Sequence, residues 1–271
     1  MKILEATYWT EKLALTRPYT IAYERIESVQ NIFVRLKAQD GTVGLGVASP
    51  AEDVTGEGVQ ECRQALADNL EGLLLGTDIR HLKARLRDIE SAMPGAPAAR
   101  AALDMALHDL WAKHHDLPLV DLLGRVHRSL PTSITIGIES VEEALEEAAE
   151  YVGRGFRILK VKIGQTMEED VERLHRIRQK MGREIIIRVD ANQGYSVDQF
   201  ENFIKQTASL ELEFIEQPLE AHDLDGMRRL PAAVRERVAA DESLLDARDA
   251  LTCLGPPRPF GIYNIKLMKC G

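Results

Sequence analysis

The sequence predicts an α/β protein in which an α+β domain over residues 1–125 precedes a parallel (β/α) barrel domain over residues 126–271. The chain has 271 residues, of which 45% are hydrophobic, enough for one large core or two modest ones. Strand-like runs fill roughly the first 50 residues, and a helical pattern follows to residue 125. From residue 130, short β-rich runs alternate with polar helical stretches about every 25 residues, a pattern typical of a parallel sheet.

The first domain is predicted from one hairpin and one helix. Within residues 31–50, two apolar stretches flank Asp40 and Gly41, which is a strong hairpin signal. Nearby Gly44 and Gly46 are predicted to be turn or bulge residues and not a phosphate loop, because no helix follows directly and no Gly-Lys-Ser/Thr is present. The run AARAALDMALHDLWAKHHD has apolar residues at helical spacing, so it predicts a long helix.

The second domain is predicted from six β-rich runs that are separated by helix-like segments. A dinucleotide-binding fingerprint does not follow the first run, which favours a (β/α) barrel over a Rossmann sheet. The six runs cover residues 133–138, 158–164, 184–192, 212–218, 237–243 and 261–269.

Charge and cysteine content argue against several classes of protein. The formal net charge is −9 and the lysines and arginines are not clustered, so a nucleic-acid partner is not expected. No apolar run approaches the roughly 20 residues that span a bilayer, and the start has no apolar signal-peptide region, so a membrane partner is not expected either. Three scattered cysteines, Cys62, Cys253 and Cys270, fit a reducing cytoplasm and argue against a disulfide framework or a cysteine zinc site.

The β-rich runs from the second to the sixth carry a polar residue near their ends at regular spacing. One strand–helix unit, 25 to 28 residues long, separates each of these residues from the next. Polar groups belong only at the carboxyl end of a packed barrel, so we expect the five side chains to converge on one site. They are Lys162, Asp190, Glu216, Asp241 and Lys266.

The three carboxylates in this series predict a metal site. Asp190, Glu216 and Asp241 come from three consecutive strands, and their charges would repel one another unless a cation lay among them. Ligation by oxygen alone, without histidine or cysteine, suits a hard ion. The most suitable such ion is Mg²⁺.

The two lysines predict acid–base chemistry. Lys162 and Lys266 come from the second and sixth strands, which lie opposite each other in an eight-stranded ring. One lysine could remove a proton from a carbon and the other could return it on the opposite face, while the metal stabilises the enediolate. Lys160 shares a face with Lys162, and its ammonium disfavours the charged form of Lys162, so we expect Lys162 to act as a base near neutral pH.

The three carboxylates and the lysines, together with the residues around them, resemble those of the enolase superfamily in its muconate-lactonising-enzyme branch. The resemblance covers the entire chain. Within that branch, TIGIES and NIKLMKCG look most like dipeptide epimerases of the alanine–glutamate type. The resemblance implies an α+β capping domain before a TIM-type barrel. The matching motifs are KVK at 160–162, DAN at 190–192, EQP at 216–218, ADES at 240–243 and IKLMKCG at 265–271.

The resemblance also implies an isomerase that inverts the α-carbon of the C-terminal residue of a dipeptide. A two-base 1,1-proton transfer would use Lys162 and Lys266 as the acid–base pair, with Mg²⁺ as cofactor. The implied metal ligands are Asp190, Glu216 and Asp241, and the implied supporting residues are Lys160, Asn192 and Glu242.

A substrate loop over residues 19–28 is also implied by the resemblance, and it carries Glu24 and Arg25. If Glu24 faces the substrate, cationic dipeptides should be favoured, and if Arg25 does, acidic ones should be. The expected partner is therefore a small-molecule dipeptide, and a homo-oligomer is compatible with the sequence.

The pattern departs from the family beyond the sixth strand. The last strands of the barrel and a later Asp-x-Asp that holds the substrate ammonium are absent from this sequence, so we expect a barrel that is truncated after about six strands, in a piece of a longer enzyme. Other reactions of the branch remain alternatives, namely o-succinylbenzoate synthesis, N-succinylamino-acid racemisation and muconate cycloisomerisation. A non-catalytic fragment that binds metal or a partner chain is an alternative of another class.

Overall fold

The computed structural model describes residues 1–22 and 24–270. The strands in this part of the chain are β1 (Ile3–Thr20), β2 (Arg25–Ala38), β3 (Val43–Ala48), β4 (Ile134–Ile136), β5 (Ile158–Lys162), β6 (Ile186–Asp190), β7 (Ile215–Glu216), β8 (Val238–Ala240) and β9 (Ile262–Tyr263).

Helices precede β4 and alternate with the strands that follow it. Over the same residues, they are α1 (Glu52–Thr55), α2 (Val59–Leu74), α3 (Leu82–Ala92), α4 (Pro97–His114), α5 (Leu119–Leu122), α6 (Val141–Gly153), α7 (Met167–Met181), α8 (Val197–Thr207), α9 (Leu224–Arg229), α10 (Ala232–Arg235), α11 (Ala247–Cys253) and α12 (Leu267–Cys270). Two short 3₁₀ turns cover Ile79–His81 and Ala208–Leu210. None of the helices found in residues 1–22 and 24–270 has the length and apolarity needed to cross a membrane.

Strands β1, β2 and β3 form a three-stranded sheet in that order. Strands β2 and β3 are antiparallel, and the turn between them is closed by a hydrogen bond of 2.9 Å from Ala38 N to Thr42 O. Gly41 at this turn has a φ of 88°, a conformation that glycine adopts without steric cost. The hairpin predicted around Asp40 and Gly41 is therefore confirmed.

The bulge prediction for Gly44 and Gly46 is wrong, because the β2–β3 pairing runs through both residues without interruption. Helix α4 packs against this strand instead. A Cβ at Gly46 would lie 1.9 Å from the carbonyl oxygen of Ala102, and one at Gly44 would lie 2.3 Å from that of Ala106. The two glycines therefore allow the predicted helix, observed as α4, to approach β3 closely.

Strands β4 to β9 form a six-stranded parallel sheet in chain order, as predicted from the repeated strand–helix units. Its core is aliphatic, with Leu159 and Val161 of β5 and Ile187 and Val189 of β6 fully buried. Each strand is shorter than the predicted run. The sixth differs most, because only Ile262–Tyr263 of the predicted 261–269 is a strand, and Leu267–Cys270 is helical.

Contacts between residues divide the chain into two compact units. The first unit consists of Met1–Ala14, Ser28–Ser129 and Ile265–Gly271, and the second consists of Leu15–Glu27 and Leu130–Asn264. This division differs from the predicted cut between residues 125 and 126 in three stretches: Leu15–Glu27 belongs to the second unit, and residues 126–129 and Ile265–Gly271 belong to the first. The domain boundary between residues 125 and 126 stays a prediction.

Candidate active site

The carboxyl ends of the parallel strands bring charged side chains together in the second unit. Lys162 is the last residue of β5, Asp190 of β6 and Glu216 of β7. Lys162 pairs with Asp190 across one ladder, and Asp190 pairs with Glu216 across the next. Asp241 directly follows the last residue of β8. The strand-end positions predicted for these four residues therefore agree with the structure.

Two ammonium groups lie against the carboxylates. Lys160 Nζ is 2.9 Å from Asp190 Oδ2 and 2.8 Å from Glu216 Oε2, so it bridges two strands. Lys162 Nζ donates to Asp190 Oδ2 at 2.7 Å and to Asn192 Oδ1 at 2.7 Å. The two lysines thus share one oxygen of Asp190. This arrangement explains why a buried strand carries two lysines on the same face.

Burial and charge shape the protonation of this cluster. Burial opposes the charge of Lys160, but attraction by Asp190 and Glu216 outweighs it and raises the pKa of the ammonium. For Asp190, burial acts against ionisation, yet the two lysines lower the pKa of the carboxyl. Burial and repulsion by Asp190 raise the pKa of Glu216 in spite of Lys160. The two lysines therefore do not fully compensate the negative charge of the buried carboxylates, because the pKa of Glu216 stays raised beside them.

Asn192 connects the carboxylate of Asp190 to that of Glu242. Its backbone N–H donates to Asp190 Oδ1 at 3.1 Å, and its Nδ2 donates to Glu242 Oε1 at 3.1 Å. The other carboxyl oxygen of Glu242 is buried without a hydrogen-bond partner among residues 1–22 and 24–270. Burial, together with repulsion by Asp241, raises the pKa of Glu242 to about 7. All three predicted supporting residues, Lys160, Asn192 and Glu242, thus lie in the cluster.

The donor set suits a hard divalent cation. Asp190, Glu216 and Asp241 are almost fully buried, and each offers only oxygen atoms. Within the described ranges, however, no group of three histidine, cysteine, aspartate or glutamate side chains is arranged to hold a metal ion. The Lys160 ammonium, which bridges Asp190 and Glu216, supplies the positive charge that these carboxylates require in this structure. The residues fit the cation by their chemistry and burial.

Lys266 does not lie at the end of a strand. It follows β9 by three residues and lies in Ile265–Gly271, which is grouped with the first unit. The expected strand end at Lys266 is wrong, because β9 pairs with β8 only at Ile262 and Tyr263 and the chain then turns into α12. The acid–base role of Lys266 remains a prediction.

The predicted substrate loop is in part extended strand. Residues up to Thr20 belong to β1, and those from Arg25 belong to β2. Glu24 and Arg25 are both exposed, and Arg25 Nε donates to Glu27 Oε1 at 3.3 Å. Tyr23, also within the predicted loop, lies outside the described residues.

Sequence reasoning missed Gln217, which is fully buried beside the carboxylates. Its Oε1 accepts from Asp241 N at 2.9 Å and from Ser243 N at 3.1 Å, and its Nε2 donates to Leu219 O at 2.9 Å. The residue has a φ of 35°, which is uncommon outside glycine. Gln217 therefore fixes the backbone of Asp241 to the neighbouring strand end.

A second missed group supports the strand ends from α7. Asp170 and Arg173 form a buried ion pair, and Asp170 Oδ2 accepts from Gly164 N at 2.8 Å and from Tyr195 Oη at 2.6 Å. Arg173 Nη2 donates to the carbonyl oxygen of Lys162 at 3.4 Å. The only sequence signal was a pair of charges on a predicted helix, which is usually a solvated face.

The parallel sheet with polar strand ends, following a sheet-and-helix domain, defines an enolase-like protein. Residues 3–124 match the family model "Mandelate racemase / muconate lactonizing enzyme, N-terminal domain", and residues 143–271 match "Enolase C-terminal domain-like". The chain belongs to this family of the enolase superfamily, so the predicted family and fold class are confirmed.

Individual relatives are epimerases by name. The chain is 57% identical to the L-Lys-D/L-Arg epimerase of Desulforapulum autotrophicum, over 100% of this chain and 76% of the relative. It is 34% identical to the L-Ala-D/L-Glu epimerase of Bacillus subtilis, over 100% of this chain and 75% of the relative. A crystal structure of the dipeptide epimerase of Methylococcus capsulatus, complexed with Mg and the dipeptide L-Arg-D-Lys, matches with a TM-score of 0.96 and 50% identity, over 100% of this chain and 77% of that one.

Proposed function

We propose that this protein is a Mg²⁺-dependent dipeptide epimerase, an isomerase that inverts the α-carbon of the C-terminal residue. The observation that carries the proposal is the buried cluster in which Lys162 contacts Asp190 beside Glu216. Similarity to proteins named dipeptide epimerases supports the same reaction class. A lysine next to buried carboxylates at strand ends can exchange a proton with carbon while a cation balances the charge.

Asp190, Glu216 and Asp241 would hold the Mg²⁺ ion. The ion, when bound, supplies positive charge that stabilises the negative charge developing on the substrate carboxylate. Two features of the chain's own residues support this role. The raised pKa of Glu216, caused by burial and by Asp190, marks a carboxyl that a further positive charge would favour as the anion. The Glu242 oxygen that has no partner within residues 1–22 and 24–270 provides a further acceptor nearby.

Proton transfer is assigned to two lysines that serve opposite faces of the α-carbon. Lys162 Nζ is oriented by Asp190 Oδ2 and Asn192 Oδ1. It would remove or return the proton on one face, and Lys266 would do so on the other, through an enediolate of the dipeptide. Two opposed bases explain inversion because a single base would return the proton to the face it came from.

The substrate class that we propose is a cationic dipeptide. Two similar proteins are named or described with lysine and arginine dipeptides. In the exposed loop, Arg25 already has a carboxylate partner in Glu27, whereas Glu24 is an acidic side chain that could pair with a cationic one. Glu24 is therefore the residue to which we assign selectivity.

The reaction is tested with the 271-residue chain and Mg²⁺ in D₂O. With L-Arg-L-Lys we expect deuterium at the α-position of the C-terminal residue and formation of the second diastereomer, both followed by ¹H NMR. L-Ala-L-Glu is the comparison substrate and should react more slowly. If neither dipeptide exchanges its α-proton at saturating Mg²⁺, the proposal is wrong and a non-catalytic role is preferred.

Selectivity is tested with the matched pair Glu24→Gln and Arg25→Gln. Because an exposed ion pair contributes up to about 1 kcal/mol, Glu24→Gln should reduce the preference for L-Arg-L-Lys over L-Ala-L-Glu by about fivefold. Arg25→Gln should leave that preference nearly unchanged. The ratio of kcat/KM values measures the effect. Equal ratios in wild type and both variants would remove both residues from substrate selection.

A further inference from the structure

The segment Leu15–Glu27, which carries Glu24, is held by the second unit although the chain on either side of it belongs to the first. The N–H of Ile138 donates to Thr20 O at 2.8 Å, just beyond the end of β4. A Cβ at Gly137 would lie 2.9 Å from Thr20 N and 3.1 Å from Tyr19 Cβ. This close approach requires a glycine beside the segment.

A side-chain amide also holds the same segment, at Ile21 and Ala22. Gln165 Nε2 donates to Ile21 O at 3.3 Å and to Ala22 O at 3.2 Å. Gln165 follows Lys162, the end of β5, by three residues. The segment is therefore attached to the connection between β5 and α7, which follows the strand that carries the proposed base.

Arg17 makes the charged attachment. Its Nη1 is 2.7 Å from Glu147 Oε1, and its Nη2 is 2.7 Å from Glu150 Oε2, both on α6. Its guanidinium carbon lies 5.7 Å from the ring centroid of Tyr151, whose hydroxyl donates to the same oxygen of Glu147 at 2.6 Å. The planar guanidinium thus binds two carboxylates and a ring face at once, which a lysine cannot reproduce.

The carboxylates around Arg17 make its charge hard to replace. Glu147 is buried and lies beside Glu139, and one carboxyl oxygen of Glu139 is buried without a hydrogen-bond partner in the described ranges. Glu143 is a further carboxylate close enough to act on Glu139. Without Arg17, these carboxyl groups would face each other with less compensating charge.

We propose that Arg17 is a positioning residue, which clamps the segment Leu15–Glu27 onto α6 so that its loop is presented to the dipeptide. The expected effect of Arg17 on dipeptide binding rests on the proposed function. Its effect on the position of the segment Leu15–Glu27 does not depend on catalysis. Without the contacts of Arg17, a smaller fraction of the molecules has the loop in the position that binds the dipeptide. The apparent Kd rises in inverse proportion to that fraction.

The kinetic test compares Arg17→Ala with Arg154→Ala. Arg154 pairs with the same Glu150 at 3.4 Å and lies 5.5 Å from the same Tyr151 ring, but its ion pair is local to α6. Arg17→Ala should raise KM for L-Arg-L-Lys about tenfold with kcat within about twofold. Arg154→Ala, which removes the same charge, should leave both values within about twofold. Gly137→Ala should raise KM as Arg17→Ala does, because it displaces the segment without changing charge.

Hydrogen–deuterium exchange separates the clamp from the reaction. In the substrate-free protein, amides of residues 15–27 should exchange at least about tenfold faster in Arg17→Ala and Gly137→Ala than in wild type or Arg154→Ala. If the wild type turned over no dipeptide, the proposed function would be wrong. The exchange rates would still show whether Arg17 holds the segment against α6. Unchanged exchange in Arg17→Ala, or equal acceleration in Arg154→Ala, would overturn the role of Arg17. Arg17→Lys, which keeps the charge, should be intermediate and serves if Arg17→Ala does not fold.

Discussion

The two units bury carboxylates in opposite ways. In the first unit, Glu57 is fully buried and accepts from Ala98 N at 2.5 Å and Ala99 N at 3.2 Å, at the N-terminus of α4. In the second unit, Asp190 and Glu216 face each other across neighbouring strands and share the ammonium of Lys160. The Glu57 carboxylate accepts from backbone N–H groups, whereas Asp190 and Glu216 are held by a charged side chain.

This difference separates a structural role from a chemical one. Backbone N–H groups at a helix N-terminus favour the ionised form of a carboxylate, but at Glu57 burial outweighs Ala98 and Ala99 and raises the pKa of the carboxyl. Carboxylates that repel one another instead favour any cation that can be placed among them. We therefore expect substitution of Glu57 to reduce stability, and substitution of the clustered carboxylates to reduce activity.

The largest expected effect outside the two lysines is loss of activity in Asp190→Asn. A bound metal typically contributes several kcal/mol to the transition state, so removing a ligand should lower the epimerisation rate about a thousandfold. Chelation with EDTA should abolish wild-type activity, and added Mg²⁺ should restore it. Rates measured against Mg²⁺ concentration, with Glu57→Gln as the control, test this prediction. Full activity after exhaustive chelation would refute the metal assignment.

The next effect is a loss of stability in Glu57→Gln. An amide can accept from one of the two N–H groups but presents a donor to the other, which should cost about 1–3 kcal/mol of the free energy of unfolding. Urea denaturation measures this change. The kcat of the same variant should equal that of wild type, and a large fall in kcat without loss of stability would contradict the structural role.

A further effect concerns the dependence of stability on pH through Glu139. Burial and the nearby Glu147 and Glu143, opposed by Arg17, raise the pKa of Glu139 from 4.5 to about 8. The folded state therefore holds one more proton than the unfolded state between these values, and stability falls as pH rises from about 4.5 to about 8. Glu139→Gln should flatten this fall in the thermal midpoint. Glu146→Gln, an exposed change on α6, should not.

The sequence was sufficient for the parts of the site that are set by strand periodicity. Lys162, Asp190 and Glu216 could be predicted because residues at equal steps along repeated strand–helix units reach the same end of a parallel sheet. Lys160 could be predicted to share the face of Lys162 because side chains alternate along a strand.

Other features depend on contacts that the sequence does not reveal. The role of Gln217 requires a positive φ and partners that follow β8, namely Asp241 and Ser243, and both depend on tertiary packing. The pair Arg17–Glu147 joins residues 130 positions apart, and neither has a local signal. The strand predicted around Lys266 is not observed. A β-rich composition indicates strand propensity, but a strand also needs a neighbouring strand with which to pair.

The most direct test of the two-base account is stereospecific deuterium exchange in Lys162→Ala and Lys266→Ala. Each variant should lose epimerisation by about 10²–10⁴-fold or more. Lys162→Ala should still exchange the α-proton of the one diastereomer whose proton faces Lys266, and Lys266→Ala should exchange only the other. Circular dichroism and Mg²⁺ binding establish that both variants are folded and loaded. Loss of exchange with both diastereomers in both variants would contradict the two-base mechanism and favour a one-base or lactonising reaction.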